Sequence, residues 1–136
     1  MQTLQKSSDE AVEHRSVADI GLLLNDKLRL IASITHESCR ELQLNIGAKV
    51  FALIKASAVE LSSPTAATGR DLNRLRGRID TLTRGERRAE LCITTDEGLP
   101  LVVTVDNSVI DSLQLATLSR VDCYIDPSDM ILAVAA

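Results

Sequence analysis

The amino-acid sequence predicts a mostly β protein built as two small five-stranded barrels in tandem, each with one short helix. Three observations predict it. The chain repeats at an offset of 71 residues: Ala18–Leu61 aligns without a gap on Ala89–Leu132, 10 of the 44 positions are identical, and many others exchange one aliphatic residue for another. Each copy is a series of short Val-, Ile- and Leu-rich runs separated by polar turns. Only one segment per copy, about two turns long, has helical spacing.

The elements follow in the same order in both copies. "VADIGLLL" from Val17 and "RAELCITT" from Arg88 read as strands and end in the turns Asn25-Asp26 and Asp96-Glu97-Gly98. "LRLIASI" from Leu28 and "LPLVVTV" from Leu99 read as second strands. The helical segments are "HESCRELQL", from His36, and "NSVIDSLQL", from Asn107, with Cys39 and Leu42, or Val109 and Leu113, on the inner face. "AKVFALIKA" and "SRVDCYIDP" are strands again, and "AVEL" and "DMILAV" close the copies. Ahead of copy two, "NRLRGRIDTLT" from Asn73 supplies one more strand. Five strands and a helix are the inventory of a small closed barrel of the oligonucleotide-binding type.

Copy one looks shorter. Alignment of Gln2–Lys6 with Asp80–Arg84 leaves nothing ahead of Met1 to match "DLNRLRGR", so its first strand is expected to be absent. An open barrel edge is a liability, which implies a truncated chain, a partner or a rearranged strand in the gap. The expected division is 1–61, a linker at 62–69 ("SSPTAATG"), and 70–136.

Composition excludes several functions. The net charge is −4 and the only aromatics are Phe51 and Tyr124, which argues against general affinity for nucleic acid or anionic membrane. No apolar run is long enough to span a bilayer, and the N-terminal segment has no signal-peptide apolar core. Cys39, Cys92 and Cys123 are odd in number and widely spaced, as expected of reduced, mostly buried thiols in a cytoplasmic protein. His14 and His36 have no metal-ligand or triad spacing around them, and "ATGRDL" lacks the glycines of a phosphate loop. The chain reads as a non-enzyme.

One constellation suggests a ligand. Thr35 stands at an N-cap position, and the first helical turn after it presents unpaired N–H groups and the positive end of the dipole. Hydroxyls from Thr35 and Ser38 join them, a combination suited to a small oxyanion. Lys55, from a later strand, would add an attraction of about 4 kcal/mol per unit anion charge at about 4 Å, if the barrel brings it there. The same residues also serve without a ligand: Thr caps helices generally, Ser38 can cap the first turn, and a strand Lys is usually solvated. In copy two the equivalents are Asp106, Val109 and Asp126, which replace donors and a cation with two carboxylates and a methyl-bearing side chain. If copy one binds an oxyanion here, copy two should not.

"ITHESCRELQLNIGAKVFALIKASAVEL" (Ile34–Leu61) resembles the Mop domain, also called the molybdate-binding TOBE domain. That family carries a Thr-x-x-Ser helix start, a Leu-x-Leu, a Gly-containing turn and an Ala-Leu-Ile-Lys-Ala-Ser strand in this order. The match is weaker but collinear over Ala18–Ile34, and copy two resembles the domain in degenerate form. The resemblance implies the effector half of a molybdate-responsive transcription regulator, or a tandem-Mop molybdenum storage protein. Thr35 and Ser38 would then donate to molybdate or tungstate, with His36 and Glu37 of the same turn in the site and Lys55 balancing the charge. It also implies a homodimer or higher oligomer with the site at a subunit interface, and DNA binding only through a segment outside this chain. The family's remaining motif, Ser-Ala-Arg-Asn on the first strand, is matched at Arg70–Asn73 by Asn73 alone, with Leu72 in place of the arginine. Asn73 and Arg74 are the candidates for a contribution from a partner. Arg74, Arg76 and Arg78 share one strand face, which is either solvated or reaches a neighbour's pocket. A nucleic-acid-binding barrel and a ligand-free dimerisation module are the competing readings.

Overall fold

A computed structural model describes the backbone of residues 2–14, 17–24, 27–64 and 73–134, and the side chains of these residues other than 2–14. Met1, residues 65–69 of the expected linker, and Arg70, Asp71 and Leu72 of the expected motif lie outside the described residues. The elements are β1 (Gln2–His14), β2 (Val17–Leu24), β3 (Leu28–Thr35), α1 (His36–Glu41), β4 (Lys49–Ile54), β5 (Val59–Ser62), β6 (Asn73–Arg84), β7 (Arg88–Thr95), β8 (Pro100–Asp106), α2 (Asn107–Leu113), β9 (Arg120–Ile125) and β10 (Met130–Val134).

The mostly β expectation holds, with the two predicted helices in place. Burial alternates along β4, β6 and β7, as a half-solvated strand requires. Both helices end earlier than the sequence spacing suggests, and for one reason. Gln43 and Gln114 in the repeated Leu-Gln-Leu take left-handed backbone, φ 53° and 52°. The following N–H groups then bond back to Cys39 and Ile110 at 3.3 and 3.0 Å, closing both helices with a Schellman-type turn. α1 buries none of its residues, so Cys39 is only half-buried, whereas α2 buries Ile110 rather than Val109 or Leu113.

The missing first strand is not missing. β1 pairs with β4 from Gln2↔Ile54, and β6 pairs with β9 from Asn73↔Ile125, so the two strands are equivalent at the same offset of 71. Their bulges agree as well, falling at Asp9 and Asp80. The expected alignment of Gln2 with Asp80 was out of step because β1 and β6 share few residue types.

The chain forms two compact units, 1–54 with 126–136, and 55–125. In the first, the sheet order is β10-β4-β1-β2-β3; in the second it is β5-β9-β6-β7-β8. Each copy therefore gives its last strand to the other copy's sheet: β10 pairs with β4, and β5 with β9. The division expected at residues 61 and 70 follows the sequence repeat, while the sheets follow this exchange. The first core is built on Ile20, Leu22, Leu30, Val50 and Ile54 and is completed by Met130 and Leu132. The second is built on Leu75, Ile79, Leu91, Ile93 and Val103 and is completed by Val59 and Leu61.

The second unit also buries a charge. Asp122 is fully buried where copy one has Phe51, and Arg76 grips it through Nε at 2.7 Å and Nη2 at 3.2 Å. The hydrogen bond to Asp122 and its charge raise the Arg76 pKa. So Arg76 is not part of a solvated face, and Arg78 is paired with Asp80. Gly77 lets β7 come close, since a Cβ there would stand 2.6 Å from the Thr94 carbonyl oxygen. Burial pushes the Cys123 thiol up to about 12, which keeps it protonated.

Arg76→Met, which leaves the Asp122 carboxylate buried without its guanidinium, is expected to lower the urea midpoint clearly more than Arg120→Met, whose pair with Asp96 is exposed on both sides. Deleting residues 127–136 is expected to speed amide exchange in β4 of the first unit while β9 of the second keeps its protection; equal protection in both would contradict the exchange.

Candidate functional site

β3 runs directly into α1, and Thr35 at the junction is extended, φ −70° and ψ 153°, as an N-cap must be. Its Oγ1 accepts from the Ser38 N–H at 3.1 Å and donates to Ser38 Oγ at 2.9 Å. The Ser38 hydroxyl proton is left to point elsewhere. Both side chains line a cavity of about 520 Å³ along the seam where the end strands β3 and β10 of the first unit approach each other. Ser33, Glu41 and Leu42 line it on the helix side, and Ser128, Met130 and Ile131 on the exchanged strand and the turn before it.

The other expected members are placed differently. His36 Nε2 donates a 3.0 Å hydrogen bond to the Val17 carbonyl, which ties the ring to β2. Neither His36 nor Glu37 lines the cavity. Lys55 is exposed and opens the 3-10 turn Ala56–Ala58, which packs on β8 of the second unit. Thr35 and Ser38 belong to the first unit, so the structure joins the two hydroxyls but sets Lys55 in the other unit. Asn73 is buried at the start of β6 and Arg74 beside it is exposed; both make interactions within the protein.

Copy two shows what replaced the hydroxyls. Asp106 sits at the N-cap of α2 but its side chain makes no cap hydrogen bond, contrary to expectation for so good a capping residue. Its carboxylate instead accepts from Arg88 Nη1 at 3.1 Å, while Arg88 Nη2 donates to the Thr104 carbonyl at 3.0 Å. Arg84 donates to the Asn107 carbonyl at 3.1 Å and to Asp111 at 2.6 Å, and Asn107 Nδ2 donates to the Gly85 carbonyl at 3.0 Å. The start of α2 is thus occupied by the protein's own charges. The matching groove of the second unit, about 420 Å³, is lined by Leu61, Ser108, Val109, Ser112 and Leu113 and contains no charged side chain.

Asp126, the counterpart of Lys55, begins the turn Pro127–Asp129, and its Oδ1 accepts from the Ser128 N–H at 2.9 Å and Ser128 Oγ at 2.7 Å. These bonds, the hydroxyl's first, hold its carboxyl below the usual range. That turn packs on β3 in the first unit. Ser33, Glu41 and Ser128 are the polar cavity residues that sequence reasoning did not find. Glu41 follows Ser38 by three positions on α1, a spacing that could have flagged it. Ser128 carries no such signal, because only the exchange brings it here.

Among the described residues no cluster of three or more His, Cys, Asp or Glu could hold a metal ion, and no helix is long and apolar enough to cross a membrane. Comparison with known proteins gives consistent relatives. The transcriptional regulator ModE of Yersinia pestis is 35% identical over 123 residues, covering 89% of this chain and 47% of that protein. The molybdenum-pterin-binding protein MopA of Rhodobacter capsulatus is 32% identical over 123 residues, 86% of this chain and 44% of that protein. The chain thus spans just under half the length of these curated relatives. A crystal structure of the cytoplasmic molybdate-binding protein ModG, with molybdate bound, matches with a TM-score of 0.93 at 27% identity over 98% of this chain and 96% of that one. The TOBE domain model matches twice, at residues 9–61 and 70–132, one match on each copy of the internal repeat, and the chain belongs to the TOBE domain family.

Proposed function

We propose that the chain is a molybdate- or tungstate-binding module that forms the ligand-sensing and dimerising part of a molybdate-responsive transcription regulator. The observation that carries this is the Thr35–Ser38 hydroxyl pair opening onto a cavity, in a fold that superimposes on ModG with molybdate bound. Hydroxyl and amide donors suit a fully deprotonated tetrahedral dianion, because they need no proton from it. Lys55, exposed at the head of its turn, supplies its charge from a second copy of the chain, which makes the site an interface property and ties ligand to assembly. DNA contact then resides on a segment other than this one, and the module itself performs no catalysis in a cytoplasmic setting.

A second reading is a tandem binding protein for molybdenum storage or homeostasis. It is favoured by the ModG comparison, where two such modules account for nearly the whole of that chain. A nucleic-acid module is disfavoured, because Tyr124 is buried and Phe51 half-buried, and these are the only aromatic side chains available for stacking. The ligand-free reading is disfavoured by the open cavity at Thr35.

Calorimetric titration should show about one molybdate or tungstate per chain, with sulfate and phosphate weaker. Thr35→Ala and Ser38→Val, the latter installing the copy-two residue, should each weaken binding about tenfold, the expected effect of losing a hydrogen bond to a charged group. Asp106→Ala should leave it unchanged. Sedimentation should show molybdate favouring the dimer, and Lys55→Ala should weaken both binding and dimerisation; a Lys55→Ala protein identical to the parent in both would remove the interface reading.

A further inference from the structure

Resting on the oxyanion reading above, we propose that Ser128 is a ligand-binding residue of the Thr35–Ser38 cavity, and that Asp126 sets how tightly this cavity holds an anion. The exchange of strands is what carries the argument. In sequence, Ser128 belongs to copy two, 92 residues beyond the start of α1, and aligns with Ser57 rather than with anything near Thr35. In the fold, β10 closes the first unit, the turn before it lies on β3, and Ser128 lines the same cavity as Thr35 and Ser38. The cavity is therefore built jointly by the two copies.

Ser128 is already a donor. Its hydroxyl gives its proton to Asp126 Oδ1 at 2.7 Å, and the same oxygen also accepts from the Ser128 N–H at 2.9 Å. A serine hydroxyl turns about a single bond, so it can redirect that proton to a ligand while the backbone N–H continues to hold Asp126. The trade is one anionic acceptor for another, which leaves the hydrogen-bond count even. Asp126 thus opposes a bound anion twice: it competes for the Ser128 proton, and it carries a like charge. Glu41, the carboxylate that lines the cavity itself, stands six residues along α1 from Thr35, about 9 Å up the helix axis, whereas Asp126 acts through its hydrogen bond to Ser128.

The test is calorimetry on the full chain with molybdate as probe and sulfate as a second dianion, with thermal unfolding measured on every variant. Ser128→Ala should raise the molybdate Kd about fivefold or more at unchanged Tm, and Ser128→Thr, which keeps the hydroxyl, should recover most of the loss. Asp126→Asn keeps an acceptor for the Ser128 N–H but removes the charge, and should tighten binding about fivefold for both dianions. Unchanged affinity in Ser128→Ala and Asp126→Asn, while Thr35→Ala and Ser38→Val still weaken binding, overturns the role of the exchanged turn and leaves the oxyanion reading standing. Loss of affinity in Ser128→Ala that tracks a lowered Tm and is not recovered by Ser128→Thr likewise overturns it. No molybdate binding by the parent protein overturns both.

Discussion

The hydrogen-bonded ladder between β10 and β4 holds the candidate site in existence. It places Met130 and Leu132 in the core of the first unit and lays the Asp126–Ser128 turn against β3. Without it, β4 would present an unpaired edge, the seam beside α1 would lose one wall, and Thr35 and Ser38 would face open solvent. The reciprocal ladder, β5 on β9, does the same for the second unit through Val59 and Leu61. Neither copy can complete a barrel from its own residues, because each spends its last strand on its sibling. This explains why the two copies persist together even though their chemistry has parted.

The parting is visible position by position. A common backbone address holds Thr35 in one copy and Asp106 in the other, Ser38 and Val109, Phe51 and Asp122. In the second unit the carboxylate of Asp106 has an arginine of its own, Arg88, and the buried Asp122 has Arg76. These carboxylates are balanced by the protein's own arginines. The second unit is therefore a self-contained structural partner, while the first keeps hydroxyls whose hydrogen-bonding capacity is only partly used.

Much of this was legible in the sequence, and the limits have physical causes. The repeat, the strand runs and the Thr35 cap depend on local patterns, which survive in residue identity. The ends of both helices were misplaced because a left-handed Gln does the work usually signalled by Gly. The first strand was overlooked because strand pairing depends on register more than on composition, so β1 could keep its partners while its residues drifted. The ownership of the last strands was invisible altogether. A strand's pattern records that one face is buried, but not in which of two similar sheets it lies, and the membership of Ser128 in the cavity vanished with it.

Strand ownership also imposes an order on how the protein is made. Residues 55–125 form a continuous stretch, so that unit has all its strands as soon as Ile125 is available. The other unit begins ahead of it yet waits for Met130–Val134, and its closing loop spans some of the longest separations in the described residues. During synthesis the unit begun first of the two is thus the last to be sealed, and its exposed β4 edge is the stretch of the pair that chaperones, or a neighbouring nascent chain, would meet unpaired.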